Sequence, residues 1–191
     1  MKIVIIDYGA GNIKSVQFAM ERLGYLASLS KNDEEIRSAD KVIFPGVGEA
    51  SSAMNKLKET GLDLLIPQLT QPVLGICLGM QLMCNSSEEN KTKGLGIFNT
   101  NVLKFSDTLK VPQIGWNQIT DLKGELFEGI SDGAFMYLVH SYYVPMSSDA
   151  IASTEYGITY TSALNRDNFY GVQFHPEKSG VSGALLLNNF L

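Results

Sequence analysis

Short apolar runs alternate with amphipathic stretches through the first half of the chain, and this alternation restricts the fold more than any other feature. Lys2–Asp7 reads as a buried strand. Asn12 stands where it can cap a helix carrying Ile13, Val16, Phe18, Met20 and Leu23, with Gly24 as its stop signal. Tyr25–Leu29 reads as a strand, Asp33–Ser38 as a short helix and Lys41–Phe44 as a third strand. After the Pro45-Gly46-Val47-Gly48 turn, Glu49–Thr60 reads as a helix ended by Gly61, and Pro72–Ile76 as a fourth strand running into a helix that begins near Leu78. Strands joined by helices must run parallel, and the helices then cover both faces of the sheet. The second half is β-rich instead, with strands expected at Val102–Phe105, Trp116–Ile119, Phe135–Val144, Thr159–Leu164 and Phe169–His175 and a closing helix at Ser182–Leu191. The expected fold is therefore α/β: a single domain over residues 1–191, with a central, mostly parallel sheet, flanking helices and added β segments in the second half.

Composition limits what such a domain can be. At 191 residues and 45% apolar content the chain can bury a sizeable core. A formal net charge of −5 argues against bulk nucleic-acid binding, which needs clustered Lys and Arg. No stretch is long and apolar enough to cross a bilayer, and the opening apolar run breaks at Asp7, too soon for a signal peptide. The two cysteines, Cys77 and Cys84, read as reduced thiols of a cytoplasmic protein. With only two histidines besides, and no Cys-x-x-Cys or His-x-x-x-His pair, a structural zinc site is not expected. The sequons at Asn85 and Asn90 then read as chance matches.

The chemistry concentrates at Gly75-Ile-Cys77-Leu-Gly79. An apolar strand runs straight into a cysteine flanked by glycines, the pattern of a strand-to-helix elbow that presents a nucleophile at the carboxyl edge of a sheet. The helix behind it favours a thiolate, and the N–H of Leu78 is free to face a developing oxyanion. A cysteine after an apolar strand is more often a small buried hydrophobe, and that reading is kept for Cys84, which has no such glycines and is expected within the following helix. A thiolate nucleophile also needs a base and a group to orient it. His175-Pro176-Glu177 offers both, because residues two apart on a strand share a face and proline holds its predecessor extended. His140, alone in an apolar strand, reads as a hydrogen-bonded core residue. A dinucleotide site at Gly9-Ala10-Gly11 is the main alternative of another class, but Lys14 stands where the third glycine belongs.

Taken together, Gly75-Ile-Cys77-Leu-Gly-Met-Gln81, His175-Pro-Glu177 and Pro45-Gly-Val-Gly48 resemble the class I (triad) glutamine amidotransferases, which share a flavodoxin-like fold. Asp7-Tyr-Gly-Ala-Gly-Asn12, Gly94-Leu-Gly96, Gly115-Trp-Asn117, His140-Ser-Tyr142 and His175-Pro-Glu-Lys-Ser179 extend the likeness over nearly the whole chain. Within that class they are similar to the glutaminase subunits of imidazole glycerol phosphate synthases. The resemblance implies a Cys77, His175, Glu177 triad and an oxyanion hole from Val47 and Leu78. It implies glutamine contacts at Gly48, Gln81, Glu89, His140, Ser141 and Tyr142. It further implies a face at Asn12, Trp116, Tyr137 and Lys178 that docks a cyclase/synthase subunit in a heterodimer and passes ammonia to it. No metal or organic cofactor is implied. The chain departs from the pattern at Gln113, where the family often has His before its Gly-Trp-Asn segment, and this places the departure at the docking face. A sister glutaminase serving another acceptor, such as a sugar-modifying pathway, shares the same chemistry and differs only on that face. A non-catalytic interaction subunit is the third alternative, and the intact triad set speaks against it.

Overall fold

A computed structural model of the chain describes residues 1–9 and 12–191. Ala10 and Gly11, on which the dinucleotide alternative rests, lie outside the described residues. In chain order the first half forms β1 (Ile3–Ile6), α1 (Ile13–Arg22), β2 (Ala27–Ser30), α2 (Asp33–Arg37), β3 (Lys41–Gly46), α3 (Ala50–Glu59), α4 (Leu62–Leu65), β4 (Val73–Cys77) and α5 (Leu78–Leu82). The second half adds β5 (Cys84–Ser87), β6 (Thr92–Lys93), β7 (Phe98–Lys104), β8 (Gln113–Gln118), β9 (Phe135–His140), β10 (Tyr142–Tyr143), β11 (Ala150–Glu155), β12 (Thr159–Arg166), β13 (Phe169–Val172) and α6 (Gly180–Phe190).

One seven-stranded sheet, ordered β11-β12-β13-β4-β3-β1-β2, draws on both halves. The strands from β13 to β2 in that order run parallel, and β12 and β11 add an antiparallel edge. The central strands are buried on both faces, which is why they read as unbroken apolar runs rather than alternating ones. Ile3 and Ile5 of β1 enter one core with Val16, Ala19 and Met20 of α1 and Leu186, Leu187 and Phe190 of α6. Val4 and Ile6 enter the other with Ala53, Met54 and Leu57 of α3. Each such aliphatic side chain contributes roughly 1.5–3 kcal/mol by leaving water. Smaller β pieces pack at the carboxyl end, including the β8–β9 ribbon and the sheet ordered β10-β7-β5-β6.

The expected α/β class and the parallel core are observed, and several local expectations are corrected. Phe18 is 53% exposed, because the buried stripe of α1 runs through 16, 19 and 20 and leaves position 18 off the face. Asn12 occupies the N-cap of α1, yet its side chain caps no helix N–H among the described residues. The helix after Cys77 is only five residues long, and Cys84 opens β5 instead of lying inside that helix. Residues 94–98 fold back and take the carbonyls of Leu82, Met83 and Cys84 with the N–H groups of Leu95, Ile97, Phe98 and Gly96, so those carbonyls are not available to a further helical turn. Phe135–Val144 breaks at Ser141 into strands of two different sheets. The strand expected to reach His175 ends at Val172, and Pro176–Lys178 forms a 3-10 turn. The strand β11 and the short helix α4 carried no clear sequence signal.

Candidate active site

Three neighbouring parallel strands end at one place. Beyond β3 lies Val47-Gly48, at the end of β4 stands Cys77, and just past β13 comes His175. Adjacent strands are about 4.8 Å apart, so the order β3-β4-β13 sets a loop, a thiol and an imidazole side by side at the carboxyl edge. They line a cleft of about 340 Å³ with Leu78, Gln81, Glu89 and the His140–Tyr142 segment.

The elbow is strained at Cys77 itself. Cys77 has φ 54° and ψ −111°, a conformation that L residues rarely hold. The flanking glycines serve close approach instead: a Cβ on Gly79 would collide with the Phe44 carbonyl oxygen of β3, and one on Gly75 with the Met83 side chain. Gly79→Ala is accordingly expected to lower unfolding free energy by about 1–3 kcal/mol, as measured by chemical denaturation; an unchanged midpoint would show that the elbow can move off β3. Leu78 opens α5, so its N–H is among those a helix leaves without an intrahelical partner. With α5 so short, this local N–H, more than a long helix dipole, is what the elbow offers to negative charge.

His175 and Glu177 do meet, though not by strand alternation. His175 is extended (φ −99°, ψ 92°) before Pro176, and the 3-10 turn carries the Glu177 carboxylate back so that Oε1 lies 2.8 Å from Nδ1. Both side chains are buried, and Glu177 Oε2 has no hydrogen-bond partner among the described residues. The Cys77 side chain lies beside the imidazole on the cleft wall. Burial opposes a charged ring, but the hydrogen bonds and charges of Cys77 and Glu177 outweigh it and push His175 from its ordinary 6.5 up to about 10. The ring is therefore held in its charged form. His140 is the opposite case. Burial drives it down to about 4 despite the bond between Nδ1 and the Tyr142 carbonyl at 2.7 Å. It is a neutral core histidine whose ring fixes the backbone of the cleft wall, as its apolar strand suggested.

The remaining sequence-predicted residues divide into cleft and face. Gly48 has φ +95°, the left-handed region that suits glycine, whereas Gly46 is a strand residue packed against the elbow, where a Cβ would lie 2.6 Å from Gly79 N. Glu89 accepts from the N–H of Ala50 at 2.8 Å, next to the Gly48 loop, and burial raises its pKa. Outside the cleft, Trp116 is 54% exposed and meets Tyr137 edge-on at 6.0 Å, while Lys178 Nζ lies 6.0 Å above the Tyr137 ring. Asn12 borders a narrow void with Val47, His175 and Glu177. Gln113 does not belong to that face. It is buried at the start of β8, opposite His140, and accepts from the Tyr160 hydroxyl at 3.0 Å, which lies 3.2 Å from His140 Nε2. Sequence reasoning missed Tyr160 and also Gln173, a lone polar residue between Val172 and Phe174 whose only signal was its place beside the His-Pro-Glu turn.

The chain belongs to the class-I glutamine amidotransferases: the family model described as glutamine amidotransferase class-I matches residues 4–191. Solved structures agree on the fold. One described as a glutamine amidotransferase superposes with a TM-score of 0.77 at 17% identity, covering 98% of this chain and 96% of its own. The PurLQS structure of Thermotoga maritima does so with 0.73 at 14%, covering 99% and 96%. Within the family the chain is 53% identical over 194 residues to the imidazole glycerol phosphate synthase subunit HisH of Bacteroides fragilis, covering 100% of this chain and 99% of that protein. It is 51% identical to the subunit of the same name from Pectobacterium atrosepticum, with the same coverage. The resemblance read from the motifs is borne out at both levels, family and subunit. No helix among the described residues is long and apolar enough to cross a membrane.

Proposed function

We propose that residues 1–191 form one amidotransferase domain acting as the glutaminase subunit of an imidazole glycerol phosphate synthase. It hydrolyses L-glutamine to glutamate and ammonia in the cytoplasm. The ammonia passes to a synthase subunit that makes imidazole glycerol phosphate and AICAR. The observation that carries the reading is the convergence of Cys77, His175 and Glu177 at the ends of adjacent strands, with a 2.8 Å bond orienting the base. The full-length relatives favour this acceptor over a sugar-modifying one.

In the reaction the Cys77 thiolate attacks the carboxamide carbon of glutamine. The oxyanion is held by the N–H of Leu78 and by that of the Val47 loop. Imidazolium His175 gives its proton to the departing ammonia as the C–N bond breaks, leaving a γ-glutamyl thioester. Neutral His175 then takes a proton from water, whose oxygen attacks the thioester and releases glutamate and the thiolate. Glu177 holds the ring throughout. Gln81 uses its N–H groups on the Tyr142 carbonyl (2.9 Å) and on Gln173 Oε1 (2.8 Å), so it presents glutamine with its Oε1. Glu89 and the Ser141 segment complete the glutamine site, with Glu89 facing the α-ammonium.

The Gly48 loop is the switch. A flip of its peptide aims or withdraws the oxyanion donor, and docking of the loaded synthase on the face of Asn12, Trp116, Tyr137 and Lys178 favours the aimed state. Ammonia release from glutamine is expected to be slow for the isolated chain and to rise when the synthase subunit and its nucleotide substrate are added. Equal rates with and without them would contradict the switch, and no release under any of these conditions would contradict the function. Trp116→Ala is expected to weaken synthase binding by about tenfold or more, as for a truncated interface aromatic; calorimetric titration showing unchanged affinity would remove Trp116 from the face.

A further inference from the structure

Behind the nucleophile runs a buried chain of side-chain amides whose directions are fixed by chemistry. The Tyr142 carbonyl can only accept, so the Gln81 atom 2.9 Å from it is the NH2. The same nitrogen lies 2.8 Å from the Gln173 amide, and the atom it meets must therefore be the Gln173 oxygen. This turns the Gln173 NH2 toward Cys77, with Nε2 at 3.7 Å from Sγ. Gln173 is fully buried, and its backbone is held by a bond from its N–H to the Ser162 carbonyl. The other lone pair of the Tyr142 carbonyl is taken by His140 Nδ1 at 2.7 Å, which anchors the far end of the chain.

Among the described residues, a proton on Sγ is taken by the Val139 carbonyl at 3.8 Å. A thiol can donate to that carbonyl; a thiolate cannot. The Gln173 N–H has the reverse preference, since a donor binds an anionic sulfur more strongly than a neutral one. We propose that Gln173 is a thiolate-stabilising residue of this site, its side-chain N–H aimed at Cys77 Sγ by Gln81 and the Tyr142 carbonyl. The proposal rests on the reading of Cys77 as nucleophile and adds a neutral donor to the charge of the neighbouring His175. The other titratable groups facing the sulfur do not supply one. Tyr8, beyond β1, and Tyr160, on β12, are phenols that burial pushes up and keeps neutral. Glu177 acts through His175, and Glu89 and Lys178 line the outer cleft. His140 is neutral and turned to Tyr142 and Tyr160.

The test is the pH dependence of Cys77 alkylation by iodoacetamide, followed by mass spectrometry in the absence of glutamine and partner. Gln173→Met keeps the length and removes the donor. Its alkylation profile is expected to move up by about one pH unit, with about tenfold slower reaction at a pH below the midpoint, the size of one charge-assisted bond. Gln173→Glu still accepts from Gln81 but turns a carboxylate oxygen to the sulfur, and is expected to shift the profile further in the same direction. A folded Gln173→Met protein whose profile coincides with the parent's would overturn the proposal. Should neither variant fold, the parent protein decides: the side-chain amide protons of Gln173 are expected to move in the NMR spectrum as the thiolate forms, and amide signals that stay fixed through that titration contradict it. Glutamine turnover by the parent reports separately on the underlying reading, so the two can fail independently.

Discussion

Cys77→Ala is expected to lose glutamine hydrolysis to background, a fall of at least about 10³-fold in kcat, while the fold survives. A covalent route has no substitute for its nucleophile, and residues of such a triad act as a unit. The fold is expected to persist because the hydrogen bonds of the thiol among the described residues are two long ones, to Val139 O at 3.8 Å and from Gln173 Nε2 at 3.7 Å. Alanine keeps a Cβ in the same conformation, at φ 54° and ψ −111°, and so keeps the strain. Glycine does not. Cys77→Gly is expected to be equally inactive yet more stable than Cys77→Ala by about 1 kcal/mol, the relief of left-handed strain less the extra chain entropy of glycine. Ammonia release and paired denaturation curves check both halves. Stability equal in the two variants would mean that the elbow stores no strain, and residual turnover in either would remove the nucleophile from the account.

The second large effect belongs to the carboxylate behind the base. Glu177→Gln keeps the size of the side chain but removes the charge that holds the imidazolium, and activity is expected to fall on the order of 10⁴-fold, as when a triad loses its orienting anion. The same variant reports on pH. In the parent, His175 is pushed from 6.5 to about 10 against its own burial, by the bonds and charges of Cys77 and Glu177. A raised folded-state value means that the charged ring stabilises the native state. That contribution is whole below about pH 6.5 and is lost as pH rises through about 10. With Glu177→Gln or Cys77→Ala, burial regains weight, and the imidazole is expected to lose its proton at lower pH than in the parent. NMR titration of the His175 ring gives the answer directly; identical titrations in parent and variants would mean that neither partner governs it. His140, which burial keeps near 4 and the charge of His175 lowers further, is expected to rise slightly when His175 gives up its proton more readily.

The parallel sheet was legible because its strands are buried on both faces and so read as apolar runs between helices. The elbow was legible too, since an apolar run ending in Gly-x-Cys-x-Gly has few other uses. What local patterns could not show was what tertiary bonds decide. The length of α5 depends on the 94–98 segment taking its carbonyls, and that segment is distant in sequence. His175 and Glu177 were paired by the wrong route: strand alternation was expected, and a 3-10 turn does the work because β13 stops at Val172. Gln113 was placed with the docking residues by its neighbours Trp116 and Asn117, yet strand alternation across the β8–β9 ribbon turns it inward, opposite His140. Gln173 was silent for the same reason. A polar residue in an apolar strand becomes meaningful only when its partners, Gln81 and Cys77, are seen beside it.

Cys77 as nucleophile predicts where covalent chemistry occurs. A glutamine analogue with an electrophilic diazoketone in place of its carboxamide reports this, when the complex with the synthase subunit is labelled and the modified peptide mapped by mass spectrometry. Cys84 is a built-in comparison: it is fully buried, and burial pushes its thiol up. The expected result is a single modification on Cys77, tracking the loss of ammonia release and prevented by excess glutamine. Inactivation with Cys77 unmodified, or modification at Cys84 instead, would contradict the assignment of Cys77 as the nucleophile.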